Sequence, residues 1–282
     1  MSTSSLDLSG VPAGLIHLRN RAGDCAAISL FGAQLLSWKT ADGHQRLYCC
    51  PMTLVKPGAP IRGGVPVCFP QFSERGPLPK HGFARTLVWQ VEHSESDLDV
   101  ASARLTLSDS DATRALWPHH FLLQLQVELG AGWLSIALNV TNTGSSAFPF
   151  TAALHTYLST PDVLLAAVDA LQEVSYIDTA NQQQLSKQSE ALLRIENEVD
   201  RIYMSPPPAV RLHQAGQVAL TLEQQGFADT VVWNPGPVKA TQLGDMPAAD
   251  WNRMLCIEAA QVIQPVSLSS QATWRGVQRL SV

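Results

Sequence analysis

Short segments of alternating, β-branched or aromatic residues recur along the chain, and Gly, Pro, Asn and Asp separate them. Such segments are typical of β-strands joined by turns. Helical periodicity is scarce by comparison. The clearest predicted strands are residues 87–92, 101–107, 121–129, 133–141, 218–222 and 230–233. The pattern therefore predicts an all-β fold.

The sequence Gly130-Ala131-Gly132 lies between two of these predicted strands. Glycine adopts the positive φ angles that a tight connection between antiparallel strands needs. We therefore expect residues 121–129 and 133–141 to form a β-hairpin.

Helices and parallel nucleotide-binding sheets have little support in the sequence. The one helical candidate is residues 183–195, where Leu185, Leu192 and Ile195 form only a thin apolar stripe. Strands and helices do not alternate, and no glycine-rich turn links a strand to a helix. We find no internal repeat and no long linker, so we predict that residues 1–282 form one antiparallel sandwich domain with few short helices.

The charge balance argues against large anionic partners. The chain has 19 Lys and Arg against 24 Asp and Glu, a formal net charge of −5. Nucleic acids and anionic membranes are bound by basic surfaces, so neither is expected as a partner. Arg62, Arg75, Lys80 and Arg85 nevertheless lie close together in the sequence. This group suits one small anion.

Cysteine usage and the apolar pattern indicate the compartment. The five cysteines have neither zinc-site nor redox-motif spacing and are expected to be reduced thiols. Residues 1–10 do not resemble a secretory signal, and no run of about 18 apolar residues occurs. These features predict a soluble cytoplasmic protein.

Residues 60–70 and 80–85 have the features of a binding loop. Glycines and prolines interrupt any regular strand there, and basic residues stand at both ends. Arg62 precedes two glycines that would let the backbone approach a ligand, and Arg85 can bind phosphate or carboxylate in two places. The alternative is that each arginine only binds loop carbonyls, and the two roles are about equally supported.

Two apolar segments each contain one ionisable residue. His155 lies within residues 148–158, where a lone histidine is more often a core residue than a catalyst. Glu258 interrupts residues 254–260, and burying a carboxylate is costly without a partner or a role. Asp200 is weaker evidence, since acids beside an arginine are common on surfaces.

Together these segments resemble the aldose 1-epimerase superfamily, and specifically its hexose-6-phosphate mutarotase branch, also called the glucose-6-phosphate 1-epimerases. The resemblance covers most of the chain. It rests on five stretches in the family's order: IRGGVPVCFP at 61–70, HGFAR at 81–85, HTY at 155–157, VDRIY at 199–203 and CIEA at 256–259.

The resemblance implies a galactose mutarotase-like β-supersandwich of mainly antiparallel sheets, with its site in a groove on the concave face of one sheet. His155 and Glu258 fall at the family's catalytic positions. Arg62, Arg85 and Asp200 fall at its substrate-binding positions, with the arginines as phosphate contacts. The reaction implied needs no metal or cofactor.

Two further residues, one of the four basic residues and the histidine that follows it, are assigned to the substrate-binding site. Lys80 stands where family members carry Gln or a small residue, and it would add charge to a phosphate subsite. His81 would either orient the loop or contact a sugar hydroxyl. Departures from the family pattern at residues 71–74 and at Leu158 affect the expected fit of the sugar more than the chemistry.

The activity implied is interconversion of the α and β anomers of a hexose 6-phosphate by a monomeric protein. Glu258 would take the proton of the O1 hydroxyl while protonated His155 gives one to the ring oxygen, which opens the ring. Rotation about the C1–C2 bond and closure give the other anomer. The alternatives are an epimerase of unphosphorylated aldoses and a non-catalytic sugar-phosphate binding or sensing protein. A glycoside hydrolase or lyase, which needs two carboxylates or a tyrosine base, ranks last.

Overall fold

The computed structural model describes residue 8, residue 11, residues 13–53 and residues 59–282. Its strands are, in chain order, β1 (Leu15–Arg19), β2 (Cys25–Ser29), β3 (Leu35–Lys39), β4 (Val67–Cys68), β5 (Gln90–Glu95), β6 (Ala101–Ser108), β7 (Phe121–Gly130), β8 (Trp133–Asn142), β9 (Phe148–Leu154), β10 (Tyr157–Ser159), β11 (Ala166–Asp169), β12 (Ser175–Asp178), β13 (Gln184–Lys187), β14 (Leu193–Arg194), β15 (Val199–Met204), β16 (Ala209–Gln214), β17 (Gln217–Gln225), β18 (Asp229–Asn234), β19 (Met254–Leu268) and β20 (Thr273–Ser281).

The helices are short. The α-helices are α1 (Asp111–Leu116) and α2 (Gly236–Ala240), and 3₁₀ helices span Pro51–Thr53, Ala84–Thr86, Val163–Leu165 and Ala248–Arg253. Within the described ranges, no helix is long and apolar enough to cross a membrane. The few short helices match the expectation from the sequence.

The strands form three sheets whose ladders are antiparallel. A small sheet has the order β1-β2-β3, and the largest has the order β14-β11-β16-β17-β20-β8-β7-β6-β5. The third, which we call the site sheet, has the order β13-β12-β15-β18-β19-β9-β4, with β10 also paired to β19. This arrangement confirms the predicted all-β sandwich of mainly antiparallel sheets.

The two large sheets enclose one apolar core. On β7, Phe121, Leu123 and Leu125 point inward and are buried, whereas the residues between them are only partly buried. On β19, Leu255 and Ile257 join the same core from the opposite side. Each fully buried side chain of this size stabilises the fold by roughly 1.5–3 kcal/mol. That residues 1–282 form one domain stays a prediction.

Strand β19 is buried on both faces from Met254 to Val262, because this part lies in the middle of the site sheet. Leu255, Ile257 and Ala259 pack into the core between the sheets, whereas Met254, Cys256 and Ala260 pack on the other face. Glu258 shares that second face, because side chains two residues apart on a strand point the same way. The functional residues described below lie on this face.

The structure confirms the predicted hairpin and corrects the start of another predicted strand. Gly130 and Trp133 close the β7–β8 ladder, and Gly132 has φ +70°. The strand predicted at 87–92 begins later, at Gln90, because Ala84–Thr86 forms a 3₁₀ helix just before it.

The helix predicted at residues 183–195 is wrong. This segment forms β13 and β14, which pair with β12 in the site sheet and with β11 in the largest sheet. Leu185 is 67% exposed, so the proposed apolar stripe does not face a common core. Backbone pairing with two different sheets decides the structure here.

The cysteines are free thiols, as expected. All five lie in the described part of the chain, and only Cys25 is partly exposed.

Candidate active site

A cavity of about 620 Å³ opens on the second face of the site sheet. Strands β15, β18 and β19 supply its floor, and the segments on either side of β4 supply one wall. All seven site residues predicted from the sequence line this cavity: Arg62, Lys80, His81, Arg85, His155, Asp200 and Glu258.

Strand pairing places His155 beside Glu258. Glu258 pairs with Val231 of β18, so its side chain leaves the centre of the sheet floor. The chain departs from the regular ladder at His155 and Thr156, between β9 and β10, yet it stays beside β19 because Ile257 N–H donates to the Thr156 carbonyl. The His155 N–H donates to the Pro66 carbonyl, 3.0 Å away.

The two side chains face each other across a short distance. Nδ1 of His155 lies 3.4 Å from Oε1 of Glu258, and the side chains are only 10% and 1% exposed. His155 Nδ1 and Glu258 Oε2 have no hydrogen-bond partner among the residues that the structure describes. Buried polar atoms without partners are costly, and these two are available to a ligand in the cavity.

Aromatic rings fix the plane of the His155 imidazole. Tyr157 stacks on it at a centroid distance of 4.7 Å and an interplanar angle of 10°. His81 and Trp233 contact it edge-on, with centroids 5.3 and 6.1 Å away. The rotation of the imidazole is thereby restricted.

The surroundings shift the pKa of both members of the pair toward the neutral forms. Burial raises the pKa of Glu258 well above its usual range, and the Asp200 carboxylate raises it further. Burial lowers the pKa of His155 to about 3, and the charges of Arg85 and Arg62 also contribute. The local field of the protein therefore disfavours the imidazolium unless an anion offsets these cations.

His81 is a neutral hydrogen-bond donor at the cavity wall. Its Nδ1 accepts from the Ser73 backbone N–H, 3.2 Å away, and lies 3.2 Å from the Cys68 thiol. Because a backbone N–H only donates, the ring proton must be on Nε2. Burial and the neighbouring His155 lower the pKa of His81 strongly, which keeps the ring neutral.

Arg62 has both structural contacts and free donor capacity. Its Nη2 lies 2.7 Å from Oδ2 of Asp245, its Nη1 donates to the Tyr157 hydroxyl at 3.4 Å, and its guanidinium lies 5.7 Å from the Trp233 ring centroid. Its buried Nε has no partner in the described part of the chain. The sequence left two roles open for Arg62, binding a ligand or only binding loop carbonyls. Neither role by itself accounts for these contacts and for the free Nε.

Arg85 and Lys80 form a second cationic group. Nη2 of Arg85 donates to the Lys80 carbonyl at 2.8 Å, while its buried Nε has no partner among the described residues. No carboxylate within those residues lies within 4.0 Å of the charged nitrogens of either side chain. These two cations are therefore available to an anion in the cavity.

The glycines after Arg62 have a different role from the one predicted. Gly63 and Gly64 have φ +116° and +59°, and a Cβ on Gly64 would lie 2.0 Å from the Leu35 carbonyl oxygen. A Cβ on Gly63 would lie 2.4 Å from the Cα of Cys49. Close approach to neighbouring backbone, not to a ligand, requires glycine here.

The remaining predicted residue, Asp200, lies on β15 directly opposite Trp233 of β18. Burial raises its pKa, so its position is not that of an ordinary surface acid. Trp233 is half-buried in the cavity lining, whereas Phe83 belongs to the main core and Trp251 packs against it. Of these three aromatic residues, only Trp233 lines the cavity.

Sequence reasoning missed two residues at the cavity, Tyr157 and Asp245. Tyr157 lies two residues after His155, so the alternation of side chains along a strand could have identified it. Asp245 lies in the loop after α2, and no sequence pattern marks it.

Comparison with known proteins agrees with this geometry. The family model "Aldose 1-epimerase" matches residues 14–281. A protein of Cenchrus ciliaris, named a candidate glucose-6-phosphate 1-epimerase, is 34% identical over 96% of this chain and 85% of its own. The crystal structure of a candidate mutarotase from Salmonella typhimurium is 30% identical, with TM-score 0.86, over 95% of this chain and 89% of its own.

A more distant structure supports the fold. The galactose mutarotase-like protein of Lactobacillus casei ATCC 334 is 17% identical, with TM-score 0.75, over 95% of this chain and 99% of its own. The fold is therefore galactose mutarotase-like. The chain belongs to the aldose 1-epimerase family and is an isomerase that interconverts sugar anomers.

Proposed function

We propose that the protein interconverts the α and β anomers of a hexose 6-phosphate, with glucose 6-phosphate as the first candidate. One observation carries the proposal. The otherwise unpartnered His155–Glu258 pair lies in the same cavity as Arg85 and Lys80, which have no carboxylate partner in the described ranges. The names of the related proteins point to the same substrate.

The pair performs the two proton transfers. Ionised Glu258 takes the proton from the O1 hydroxyl, while protonated His155 gives its proton to the ring oxygen, and the bond between C1 and the ring oxygen breaks. Rotation about the C1–C2 bond turns the aldehyde, and reversed proton transfers close the ring to the other anomer. A positioned acid or base contributes roughly 10²- to 10⁴-fold to such a reaction.

A phosphate group in the cavity favours the reactive protonation state. In the protein's own field, the Arg85 and Arg62 charges lower the pKa of His155. A bound phosphate dianion offsets these charges, raises that pKa and so favours the imidazolium. The phosphate thus contributes to binding and also keeps His155, the acid, in its protonated form.

The cations also favour a phosphorylated substrate over a neutral sugar. Of the cations around the cavity, Arg62 is paired with Asp245 and Lys239 with Glu198. Arg85 and Lys80 have no such partner within the described residues, nor does Arg75, which is exposed and donates to Gln183. A neutral aldose would leave Arg85 and Lys80 uncompensated. Asp200 and the Nε2–H of His81 remain for the sugar hydroxyls.

The proposal is tested by measuring the rate of anomer exchange at equilibrium. NMR magnetisation exchange in phosphate-free buffer gives this rate. We expect the enzyme to accelerate exchange of glucose 6-phosphate far more than that of glucose. Equal acceleration of both sugars would favour the unphosphorylated-aldose alternative, and binding without acceleration would favour the sensor. A cytoplasmic location and a monomeric state remain predictions.

A further inference from the structure

Three metal-binding side chains meet on the cavity face of the site sheet. Cys256 and Glu258 are two residues apart on β19, so both side chains point to this face, and His155 lies on the adjacent segment. One ligand atom of each residue, the His155 imidazole nitrogen, the Cys256 thiol sulfur and a Glu258 oxygen, lies within 4.8 Å of the others.

The donor set matches the preferences of Zn²⁺. Zinc binds imidazole nitrogen, thiolate sulfur and carboxylate oxygen in tetrahedral sites, and three protein ligands leave the fourth position open. His155 and Glu258 both line the cavity, whereas Cys256 lies buried beside them on the same face of the site sheet. Two donor atoms, His155 Nδ1 and Glu258 Oε2, have no hydrogen-bond partner among the described residues and are deeply buried.

We propose that His155, Cys256 and Glu258 form an inhibitory site for Zn²⁺. The ion is not a cofactor of the reaction. By taking the lone pairs of the acid and the base, it blocks both proton transfers and competes with the sugar for the cavity. The inhibitory consequence rests on the proposed function, whereas the binding itself does not.

Charge sets the conditions under which the ion binds. The thiolate and the carboxylate supply two negative charges, which offset the repulsion from Arg62 and Arg85. Burial raises the pKa of both Cys256 and Glu258 well above their usual ranges, so coordination must displace a proton from each of them. Zinc binding therefore releases protons and strengthens as the pH rises. His155 adds little proton competition, because its pKa is already low.

The test uses the whole enzyme after treatment with a chelator. Anomer exchange of glucose 6-phosphate is measured against Zn²⁺ concentration, with Mg²⁺ as the control ion because it prefers oxygen ligands. Binding of Co²⁺ is measured separately through its thiolate charge-transfer absorption. The variants are Cys256→Ser and Cys256→Ala, with Cys25→Ser as the control for a more exposed thiol.

We expect Zn²⁺, but not Mg²⁺, to inhibit the wild-type protein in competition with the sugar phosphate. Each Cys256 variant is compared with its own rate in chelator, and it should require at least about tenfold more Zn²⁺ than wild type for half inhibition, since even outer-shell changes cost metal sites that much. Cys25→Ser should behave as wild type. Unchanged zinc sensitivity in the Cys256 variants, or absence of the cobalt–thiolate band in wild type, would overturn the proposal. The cobalt band also distinguishes this failure from absence of epimerase activity.

Discussion

His155 Nδ1 and Glu258 Oε1 lie 3.4 Å apart on adjacent segments of one sheet. At this distance the protonation of one group depends on that of the other, so the pair titrates as a unit. In the proposed mechanism the active form holds a single proton between them, on the imidazole. This pair and the charges around it lead to five predictions.

Replacing either member of the pair should remove most of the activity without unfolding the protein. We expect Glu258→Gln and His155→Asn to slow glucose 6-phosphate exchange roughly 10²- to 10⁴-fold. Magnetisation-exchange NMR measures the rate, and circular dichroism checks the fold. The matched control is Glu223→Gln, an exposed position on β17, which should retain wild-type exchange. A fully active Glu258→Gln variant would contradict the assignment of Glu258 as the base.

The Glu258→Gln substitution should stabilise the protein. Glu258 is buried with one unpartnered oxygen, and Gln keeps its shape but cannot ionise, so the substitution relieves the cost of a buried carboxylate, about 1–3 kcal/mol. Urea unfolding near pH 8 should show a larger free energy of unfolding for Glu258→Gln than for wild type. The exposed control Glu223→Gln should stay within about 0.5 kcal/mol of wild type.

The pH dependence of that gain has a definite sign. The pKa of Glu258 is raised in the folded state, so the folded protein holds a proton that the unfolded chain loses above its own, lower pKa. Wild-type stability therefore falls as the pH rises from the unfolded pKa toward the folded one. The advantage of Glu258→Gln should grow from pH 5 to pH 8, and a constant difference would contradict the raised pKa.

Removing Arg85 should weaken binding of the phosphorylated sugar selectively. We expect Arg85→Gln to raise KM for glucose 6-phosphate by roughly 30-fold, about 2 kcal/mol. This is the low end of the binding free energy lost when one partner of a charge pair is removed, because the Arg85 guanidinium is partly exposed. Arg75→Gln is the control, since Arg75 lines the same cavity but is exposed and hydrogen-bonded to Gln183. It should change KM only a few-fold. Equal effects of the two variants would argue against a phosphate contact at Arg85.

The fall of kcat/KM at high pH, the alkaline limb of its pH profile, should move in opposite directions in two variants. This limb reports loss of the one proton that the pair shares in the free enzyme. Asp200 raises the pKa of Glu258, so Asp200→Asn should move the limb to lower pH. Arg85 lowers the pKa of His155, so Arg85→Gln should move it to higher pH. Rate profiles above pH 7 measure both shifts, and movement in the same direction would contradict the coupled-pair description.

The sequence predicted the strands that carry the pair better than it predicted their pairing. The apolar segments around His155 and Glu258 identified two buried strands, and the unfavourable burial of a carboxylate marked Glu258. That these segments lie side by side follows from ladders between distant parts of the chain, which no local pattern encodes. The order of five family motifs supplied that information instead.

Local pattern also failed where pairing partners compete. Residues 183–195 carry a weak helical stripe, but β12 and β11 offer backbone partners in two sheets, and strand pairing prevails. Asp245 escaped notice because it lies in a loop without periodicity, and only the folded chain brings it to Arg62.

The acid–base pair and the cations have different kinds of support. His155 and Glu258 lie on adjacent segments that are hydrogen-bonded to each other and packed on the core. Arg62, Lys80 and Arg85 lie instead on the segments before and after β4. Where these segments pass close to neighbouring backbone they rely on glycines such as Gly64 and Gly82, at which a Cβ would lie 2.0 and 2.1 Å from the carbonyl oxygens of Leu35 and Phe69. If the cations select the substrate as proposed, exchanging the segments before and after β4 would change substrate preference while the reaction centre stays intact, provided that these two positions keep glycine.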